Sequence, residues 1–478
     1  MKKRSRGKII RRSLCLLLVV YIAAALVPYL FVPAPPEAAA ASVLAAMPAA
    51  ANVQSGTADR ATLVTTGEEA LDVRLNLIAN AKESLIVGTY LYGNDDSGRA
   101  IASALRAAAD RGVRVRILTD GLVGGGNLFA SSLGYALGAY PGIELRFYNP
   151  INPLAPWGLN ARFHEKYVIA DESLFVLGGR NISNEFLTPM SHPAYNYDLD
   201  VLICGSKAEK ASAVSQLVQY FENLWLTQCA PQYQTIPFYA SASVEALAKE
   251  LDSLYAALCQ QHAQAMQPTD WAQKTVPIQG AVLLTNPINP CVKEPTVWAE
   301  LMALSSNAKE RVWVQNPYLV LNGQMKNDLS KLAVLPTELI VLTNSKASGN
   351  NIVASSDALI HKGAIQKMDL SLYEFQGDRS MHTKTMLIDQ DLSIFGSFNF
   401  DIRSAYLSTE LMLVVKSEEV NQMLEDYMLD MRANSLLTNA SPEASDTLPL
   451  VTPKETPWSK DLILHIAAPF VALFRFLI

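Results

Sequence analysis

Two stretches of the chain carry the same reactive residue types at the same spacing. In FHEKYVIADESLFVLGGRNIS, residues 163–183, His164 and Lys166 are two apart and Asp171 follows. In MHTKTMLIDQDLSIFGSFNFD, residues 381–401, His382, Lys384 and Asp389 repeat that spacing. An imidazole can attack phosphorus or carry a proton near neutral pH. An ammonium group beside it can neutralise a phosphate oxygen. Residues two apart on a strand share a face. The apolar runs YVIA and TMLI therefore predict strands presenting His164 with Lys166, and His382 with Lys384. The turns Gly178-Gly179-Arg180-Asn181 and Gly396-Ser397-Phe398-Asn399 follow. Glycine there lets backbone approach a ligand closely, and the turns are predicted to bring Asn181 and Asn399 beside the histidines.

Such a set suits a phosphodiester. Two ammonium groups and two amides can hold its charged oxygens and stabilise a transition state. One histidine attacks phosphorus, while the other protonates the leaving alcohol and then serves as base for the incoming acceptor. This chemistry calls for no metal and no cofactor. A single His-x-Lys pair is ordinary at a strand end; two copies with matched turns are not.

The elements that must position these residues repeat as well. Asn80-Ala81-Lys82-Glu83 opens NAKESLIVGTYLY, and Asn307-Ala308-Lys309-Glu310 opens NAKERVWVQNPYL. Each leads to a helical pattern, SGRAIASALRAAADRGV or NGQMKNDLSKLAV, and then to an apolar strand near Ile117 or Val341. Strand, helix, strand signals a parallel sheet covered by helices. The expected fold is α/β: two duplicated α/β lobes packed about a pseudo-twofold axis. A polar, helix-like stretch from Ala240 to Gln267 would connect them.

Charge and hydropathy place the ends. The chain has 478 residues, enough for two such lobes and appendages. Of 39 Lys and Arg, seven lie at Lys2, Lys3, Arg4, Arg6, Lys8, Arg11 and Arg12, and no acid precedes Glu37. The remainder carries 32 basic residues against 45 Asp and Glu, a balance that argues against nucleic acid as partner. Leu14 to Val32 is an almost continuous apolar run, long enough to cross a bilayer. Its basic flank predicts a single-pass anchor in the cell membrane, with the catalytic body on the outer, periplasmic or extracellular side. The Ala-rich segment after it offers small-residue sites for the competing reading, a cleaved signal peptide. The tail from Trp458 to Ile478 is apolar but interrupted by His465, Pro469 and Arg475. It suits a helix lying in the membrane interface or packed on the body. Between Asn434 and Thr456 the composition is that of a linker. Cys15, Cys204, Cys229, Cys259 and Cys291 show no metal-ligand spacing. They read as buried free thiols, with one or two disulfides the alternative in an oxidising compartment.

On the two His-x-Lys-x4-Asp motifs the chain resembles the phospholipase D superfamily, across most of residues 65 to 435. The wording GGRNISNEF, YDLDVLICG, LTNSKASGN and GSFNFDIRSAYLSTE is most similar to bacterial cardiolipin synthases of the C-type branch. Gly179 stands where many such relatives carry Ser, and the FRFLI ending departs from the acidic, proline-containing ending of that branch. The resemblance implies two phospholipase D-like halves, a covalent phosphohistidine and metal-free catalysis. It implies His164 as nucleophile and His382 as acid and base, with Asp171 and Asp389 structural. A later acid in each half would orient a histidine: Asp198, with Asp200 competing for that role, and Glu410.

Its division of the chain is residues 1–60 for flank, anchor and linker; 61–235 for the first half; 236–280 for a helical connector; 281–435 for the second half; and 436–478 for linker and membrane-interacting tail. The expected activity is phosphatidyl transfer that makes cardiolipin, from two phosphatidylglycerols or from one with phosphatidylethanolamine. A hydrolytic phospholipase D, and a membrane-anchored phosphodiesterase or nuclease, are the alternatives. No motif specifies a protein partner. A non-catalytic lipid-binding protein would be expected to carry decayed motifs, and both copies are intact.

Overall fold

Strand segments such as KYVIA and ELIVLTN are short and apolar on both faces, the pattern of sheets covered by helices on either side. The computed structural model describes residues 2–37, 40–45, 59–209, 211–227, 229, 235–439 and 451–478. Residues 46–51 of the Ala-rich segment and 440–450 of the Ser/Thr/Pro linker lie outside the described residues.

The first lobe contains β1 (Arg60–Val64), β2 (Ser84–Thr89), β3 (Arg114–Asp120), β4 (Ile143–Tyr148), β5 (Lys166–Ala170), β6 (Leu174–Gly178), β7 (Asp200–Cys204) and β8 (Val276–Pro277). The second contains β9 (Gly280–Thr285), β10 (Arg311–Gln315), β11 (Leu319–Val320), β12 (Glu338–Asn344), β13 (Ser371–Phe375), β14 (Thr385–Ile388), β15 (Leu392–Gly396), β16 (Phe400–Asp401), β17 (Leu411–Lys416) and β18 (Ser435–Leu437). The first sheet runs β4-β3-β2-β5-β6-β7-β1-β8, and the second β18-β13-β12-β10-β14-β15-β17-β9. Without the edge strands β8 and β18 the two orders are the same. So are the directions: β2, β3 and β4 are parallel neighbours, as are β10, β12 and β13, and the remaining pairs of these two sheets are antiparallel, while β11 and β16 form a separate parallel pair. The duplicated α/β architecture expected from the sequence is the architecture of the molecule.

Each lobe has its own apolar core beneath its helices. A third core is shared: Ile86, Tyr167 and Leu177 of one lobe pack in the same cluster as Leu387, Phe395 and Leu413 of the other. Helices Ala213–Thr227 and Glu418–Ala433 contribute Phe221 and Leu424 to it. Burying apolar area from both sheets fixes the lobes against each other. The connector forms a helix over Ser241–Gln261 that packs on helix Asp96–Asp110.

Two equivalent devices set the height of the catalytic motifs. Asp171, just after β5, accepts hydrogen bonds from the backbone N–H groups of Lys82, Glu83 and Ser84. Asp389, after β14, accepts from Lys309, Glu310 and Arg311. These are the repeated Asn-Ala-Lys-Glu segments and the residue after each. Both aspartates have left-handed backbone, with φ of 50° and 52°, which Asp tolerates better than most residues.

A helix covers Lys2–Leu26 and a turn follows over Val27–Leu30. Among the described residues Ile10–Leu30 is the one helical stretch long and apolar enough to cross a membrane, and 6% of it is buried. Tyr29 ties its end to the body, donating to the Trp157 carbonyl and accepting from the Asn160 N–H at 3.3 Å. The tail forms a helix over Trp458–Leu473 that packs on helix Ile352–Ile365. Among the described residues the five cysteines are free; Cys15 is exposed and the others half-buried, less covered than core thiols would be.

Candidate active site

The strands place the lysines, but the histidines precede them. Lys166 opens β5 and Lys384 lies just before β14, both almost fully buried. His164 and His382 are held instead by short bridges between the lobes. Phe163 pairs with Thr409, and Tyr197 with Met381. The His164 N–H donates to the Thr409 carbonyl at 3.3 Å, and the His382 N–H to the Tyr197 carbonyl at 2.7 Å. Each bridge sets the histidine of one lobe beside the acid of the other, because Thr409 precedes Glu410 and Tyr197 precedes Asp198.

The side chains follow that crossing. His164 Nδ1 lies 2.8 Å from Glu410 Oε1, and His382 Nδ1 lies 2.7 Å from Asp198 Oδ2. Both carboxylates are fully buried, while the imidazoles remain 14% and 19% exposed. These pairs engage the Nδ1 atom of each imidazole. Asp200, the competitor for the orienting role, instead lies 3.0 Å from Arg74 and 3.4 Å from Arg180. Asp198 is therefore the acid that meets a histidine.

Lys166 donates to the His164 carbonyl and lies 5.2 Å from the centre of the Tyr90 ring. Lys384 donates to the His382 carbonyl, and its Nζ lies 2.8 and 2.9 Å from the two ring nitrogens of His382. The hydrogen bonds of the two asparagines run elsewhere than the histidines. Asn181 Oδ1 accepts from the Leu91 N–H at 3.2 Å, and Asn399 N–H donates to Ser404 Oγ at 3.2 Å. Among the described residues Asn399 Oδ1 is buried without a partner.

Burial dominates the electrostatics. It pushes Lys166 down to about 7 and Lys384 down to about 8, against the pull of Glu410 and Asp198. Burial, reinforced by Lys166 and Lys384, holds His164 well below its ordinary value. Burial and Lys384 likewise push His382 down to about 3. The charges of both lysines act on both histidines, as one shared centre requires. The two acids part company. Burial raises Glu410 to about 8 despite Lys166, Ser397 and Ser404. Asp198 feels burial too, but His382, Lys384 and Arg180 outweigh it and hold the carboxyl down at about 2.

Several contacts lay beyond what the motifs indicate. Tyr90 meets His164 edge to face at 4.8 Å between ring centres, and Phe186 lies 4.9 Å from His382. Ser397 and Ser404 both donate to Glu410. Tyr90 and Phe186 carry no spacing signal, whereas Ser397 stands inside the quoted turn and Ser404 in the quoted GSFNFDIRSAYLSTE. Among the described residues no group of three or more His, Cys, Asp or Glu side chains is placed to hold a metal ion.

A family model described as "Cardiolipin synthase, PLD-like domain" matches residues 75–225 and 301–432, more than half of the chain and both lobes. The chain belongs to this family. At the level of the family it is a phospholipid phosphatidyltransferase. It is 30% identical over 394 residues to an uncharacterized protein of Helicobacter pylori, covering 73% of this chain and 74% of that one. It is 26% identical over 394 residues to cardiolipin synthase C of Escherichia coli, covering 75% of this chain and 81% of the relative. The fold is similar to that of phosphatidylserine synthase from Haemophilus influenzae, with a TM-score of 0.61, 14% identity, and coverage of 90% of this chain and 100% of that one.

Proposed function

We propose that this chain makes cardiolipin from phosphatidylglycerol through a phosphohistidine on His164. The observation that carries the proposal is the crossed pairing of His164 with Glu410 and His382 with Asp198 around two buried lysines. The similarity to cardiolipin synthases of several bacteria supports the same product.

His164 Nε2 attacks the phosphorus of a first phosphatidylglycerol. The bond from phosphorus to the head-group oxygen breaks, and His382 gives that oxygen its proton, releasing glycerol. A hydroxyl of a second phosphatidylglycerol then attacks the phosphorus. His382 takes its proton, the phosphorus–nitrogen bond breaks, and cardiolipin leaves. With phosphatidylethanolamine as donor, ethanolamine would leave instead. Lys166, Lys384, Asn181 and Asn399 hold the phosphate oxygens. An anionic phosphate gives Lys384 a stronger acceptor than the ring of His382 and offsets the ammonium charge that holds both imidazoles neutral.

The unequal acids support the division of roles. Asp198, charged at neutral pH, favours a proton on His382. Glu410, held near 8, adds less negative charge beside His164, which leaves that imidazole neutral and nucleophilic.

The apolar helix supports a membrane anchor, and its basic flank supports a cytoplasmic N-terminus with the body on the outer side. Protease added to intact spheroplasts is expected to digest the body; protection until lysis would reverse the orientation. The reaction is tested with purified enzyme in phosphatidylglycerol vesicles, by mass spectrometry. Cardiolipin and glycerol are expected, with excess glycerol slowing net synthesis. Accumulation of phosphatidic acid with cardiolipin at background, even with phosphatidylethanolamine supplied, would make the protein a hydrolytic phospholipase D.

A further inference from the structure

A cavity of about 490 Å³ lies in the second lobe, outside the ring of catalytic side chains. Its walls are β11, the end of β12 and the residues after it, and helix Ile352–Ile365, with Pro453, Lys454 and Thr456 from the segment before the tail helix. That volume falls in the range of about 300–1,000 Å³ typical of small-molecule sites.

One wall is the back of the His382 half-site. Asn344 lines the cavity and grips Met381, the residue before His382. Its Nδ2 donates to the Met381 carbonyl at 2.7 Å and its Oδ1 accepts from the Met381 N–H at 2.9 Å. Asn350, also in the wall, donates to Asn196 at 3.0 Å, two residues from Asp198.

The lining is unsuited to a second charged head group. Its lysines are already paired: Lys346 with Asp461 at 2.6 Å, Lys454 with Asp378 at 3.0 Å, and Lys362 with Glu374. Between them the walls join apolar Leu319, Ala354, Ala358, Ile365 and Leu372 to uncharged polar side chains such as Asn350, Asn351, Ser355 and Gln366.

The two helices outside this cavity carry an exposed apolar stripe. The tail helix buries Leu464, Ala468 and Val471. Ion pairing of Arg475 with Asp357, at 2.6 Å, fastens its end to helix Ile352–Ile365. The other faces of the two helices expose Ile360, Ile463, Ile466, Phe470 and Leu473. The final turn, Arg475–Leu477, packs against Val27–Leu30 at the end of the apolar span. The exposed face is thus continuous with the segment that would enter the bilayer. Contiguous exposed apolar side chains mark interaction or membrane surfaces.

We propose that the cavity holds one acyl chain of a glycerophospholipid whose phosphate lies at the histidines, and that the chain enters from a bilayer seated on the two-helix face. This rests on the phosphatidyltransferase reading and adds where the lipid tail goes. A chain bound there would contribute binding energy remote from the reacting phosphorus, to position it.

Two wall positions allow a test without unfolding. A side chain at Gly363 meets open space, and replacing glycine favours a helix interior. Ala358 is half-buried on the same helix. Gly363→Leu and Ala358→Trp narrow the cavity. Rates are measured on dioleoyl and dihexanoyl phosphatidylglycerol in the same mixed micelles, with thermal melting as the check on folding. Each variant is expected to lose about tenfold on the long-chain lipid relative to the short-chain one. Equal changes on both, or none, would overturn the proposal.

A second readout needs no turnover. Phosphatidylglycerol with a diazirine near the end of one acyl chain is photolysed with the full-length wild type in nanodiscs, and the adducts are mapped by peptide mass spectrometry. Adducts at 354–366 and 453–456 are expected; adducts confined to 10–32 and other surfaces would overturn the site. An enzyme that transfers no phosphatidyl group would sink the reaction reading, while the cross-links would still decide the cavity.

Discussion

The two half-sites share a scaffold and differ in chemistry. Seven strands of each lobe follow the same order and directions, and Asp171 and Asp389 hold equivalent backbone segments. At the center the equivalence ends. His164 meets a longer acid, Glu410, which also accepts from Ser397 and Ser404. His382 meets Asp198, whose other oxygen accepts from the Leu199 N–H at 2.8 Å. Where the second lobe has Ser397, the first has Gly179. Duplication supplies two histidines, and the carboxylates beside them make those histidines unequal. The proposed transfer uses that inequality, because in it one imidazole attacks while the other carries a proton.

Removing the histidines should break the comparison most sharply. His164→Ala and His382→Ala are each expected to lower phosphatidyl transfer at least about 10⁴-fold, because nucleophile and acid act as a unit. A phosphodiester with a p-nitrophenolate leaving group separates them. That group leaves without a proton, so His382→Ala should recover release of p-nitrophenol while His164→Ala should not. Recovery by His164→Ala alone would exchange the roles.

The acids come next. Asp198→Asn and Glu410→Gln are each expected to cost about 10–100-fold in kcat, as partners that orient an imidazole do. Their stability effects should run in opposite directions with pH. Glu410 has its carboxyl raised from 4.5 to about 8, so the folded chain keeps a proton that the unfolded chain loses. That contribution is complete below about 4.5 and is lost as pH rises through about 8. Glu410→Gln should therefore flatten the decline in Tm between about pH 5 and about pH 8.5. Asp198 is lowered from 3.8 to about 2, so its contribution is present above 3.8 and lost as pH falls towards 2. Asp198→Asn should remove that acid-side dependence. Parallel Tm profiles for the two variants would mean that the half-sites are electrostatically alike.

The shared scaffold should respond symmetrically. Asp171→Ala and Asp389→Ala each remove a carboxylate that holds three N–H groups and place alanine in left-handed backbone. Each is expected to cost about 1–3 kcal/mol in denaturant unfolding, with the pH profile of the surviving activity unchanged. A shift of that profile by either variant would give the aspartates a part in the chemistry.

What the sequence made legible was what repeats. Paired His-x-Lys spacings, the Asn-Ala-Lys-Glu segments and the strand–helix–strand order all pointed to two lobes, and the lobes are there. Single-strand periodicity misplaced the histidines slightly, since His164 and His382 precede β5 and β14. Their positions depend on the bridges from Phe163 to Thr409 and from Tyr197 to Met381. Those pairings join residues more than a hundred positions apart, so local pattern holds no trace of them. The crossing of acids between lobes was hidden for the same reason. Asp198 and Asp200 could not be ranked by spacing either; Arg74 and Arg180 engage Asp200, and that is a tertiary fact. The tail was legible only as apolar and interrupted. It packs on the body along one stripe and stays exposed along another.

The subtlest difference between the half-sites is Gly179 against Ser397. A Cβ at Gly179 would come within 2.5 Å of both Asp198 carboxylate oxygens. That carboxylate is short, buried and bound to His382, so it cannot yield without weakening the pair. Gly179→Ser is therefore expected to lower kcat about tenfold, or about 1.4 kcal/mol in transition-state energy. In the second lobe a serine at the equivalent place is accommodated by an acid one methylene longer, which reaches its histidine while accepting the hydroxyl. Adding Asp198→Glu to Gly179→Ser would rebuild that arrangement in the first lobe. The double variant should then lose less than the sum of its parts, with a coupling of about 0.5–1 kcal/mol in a double-mutant cycle on kcat. Its His382 should also sit beside an acid that ionises less readily, which moves the acidic limb of the rate profile towards that of a neutral imidazole. Strict additivity in the cycle would mean that the residue pairs are independent. The asymmetry of the two half-sites would then lie in Tyr90 and Phe186 rather than in the acids and the turns beneath them.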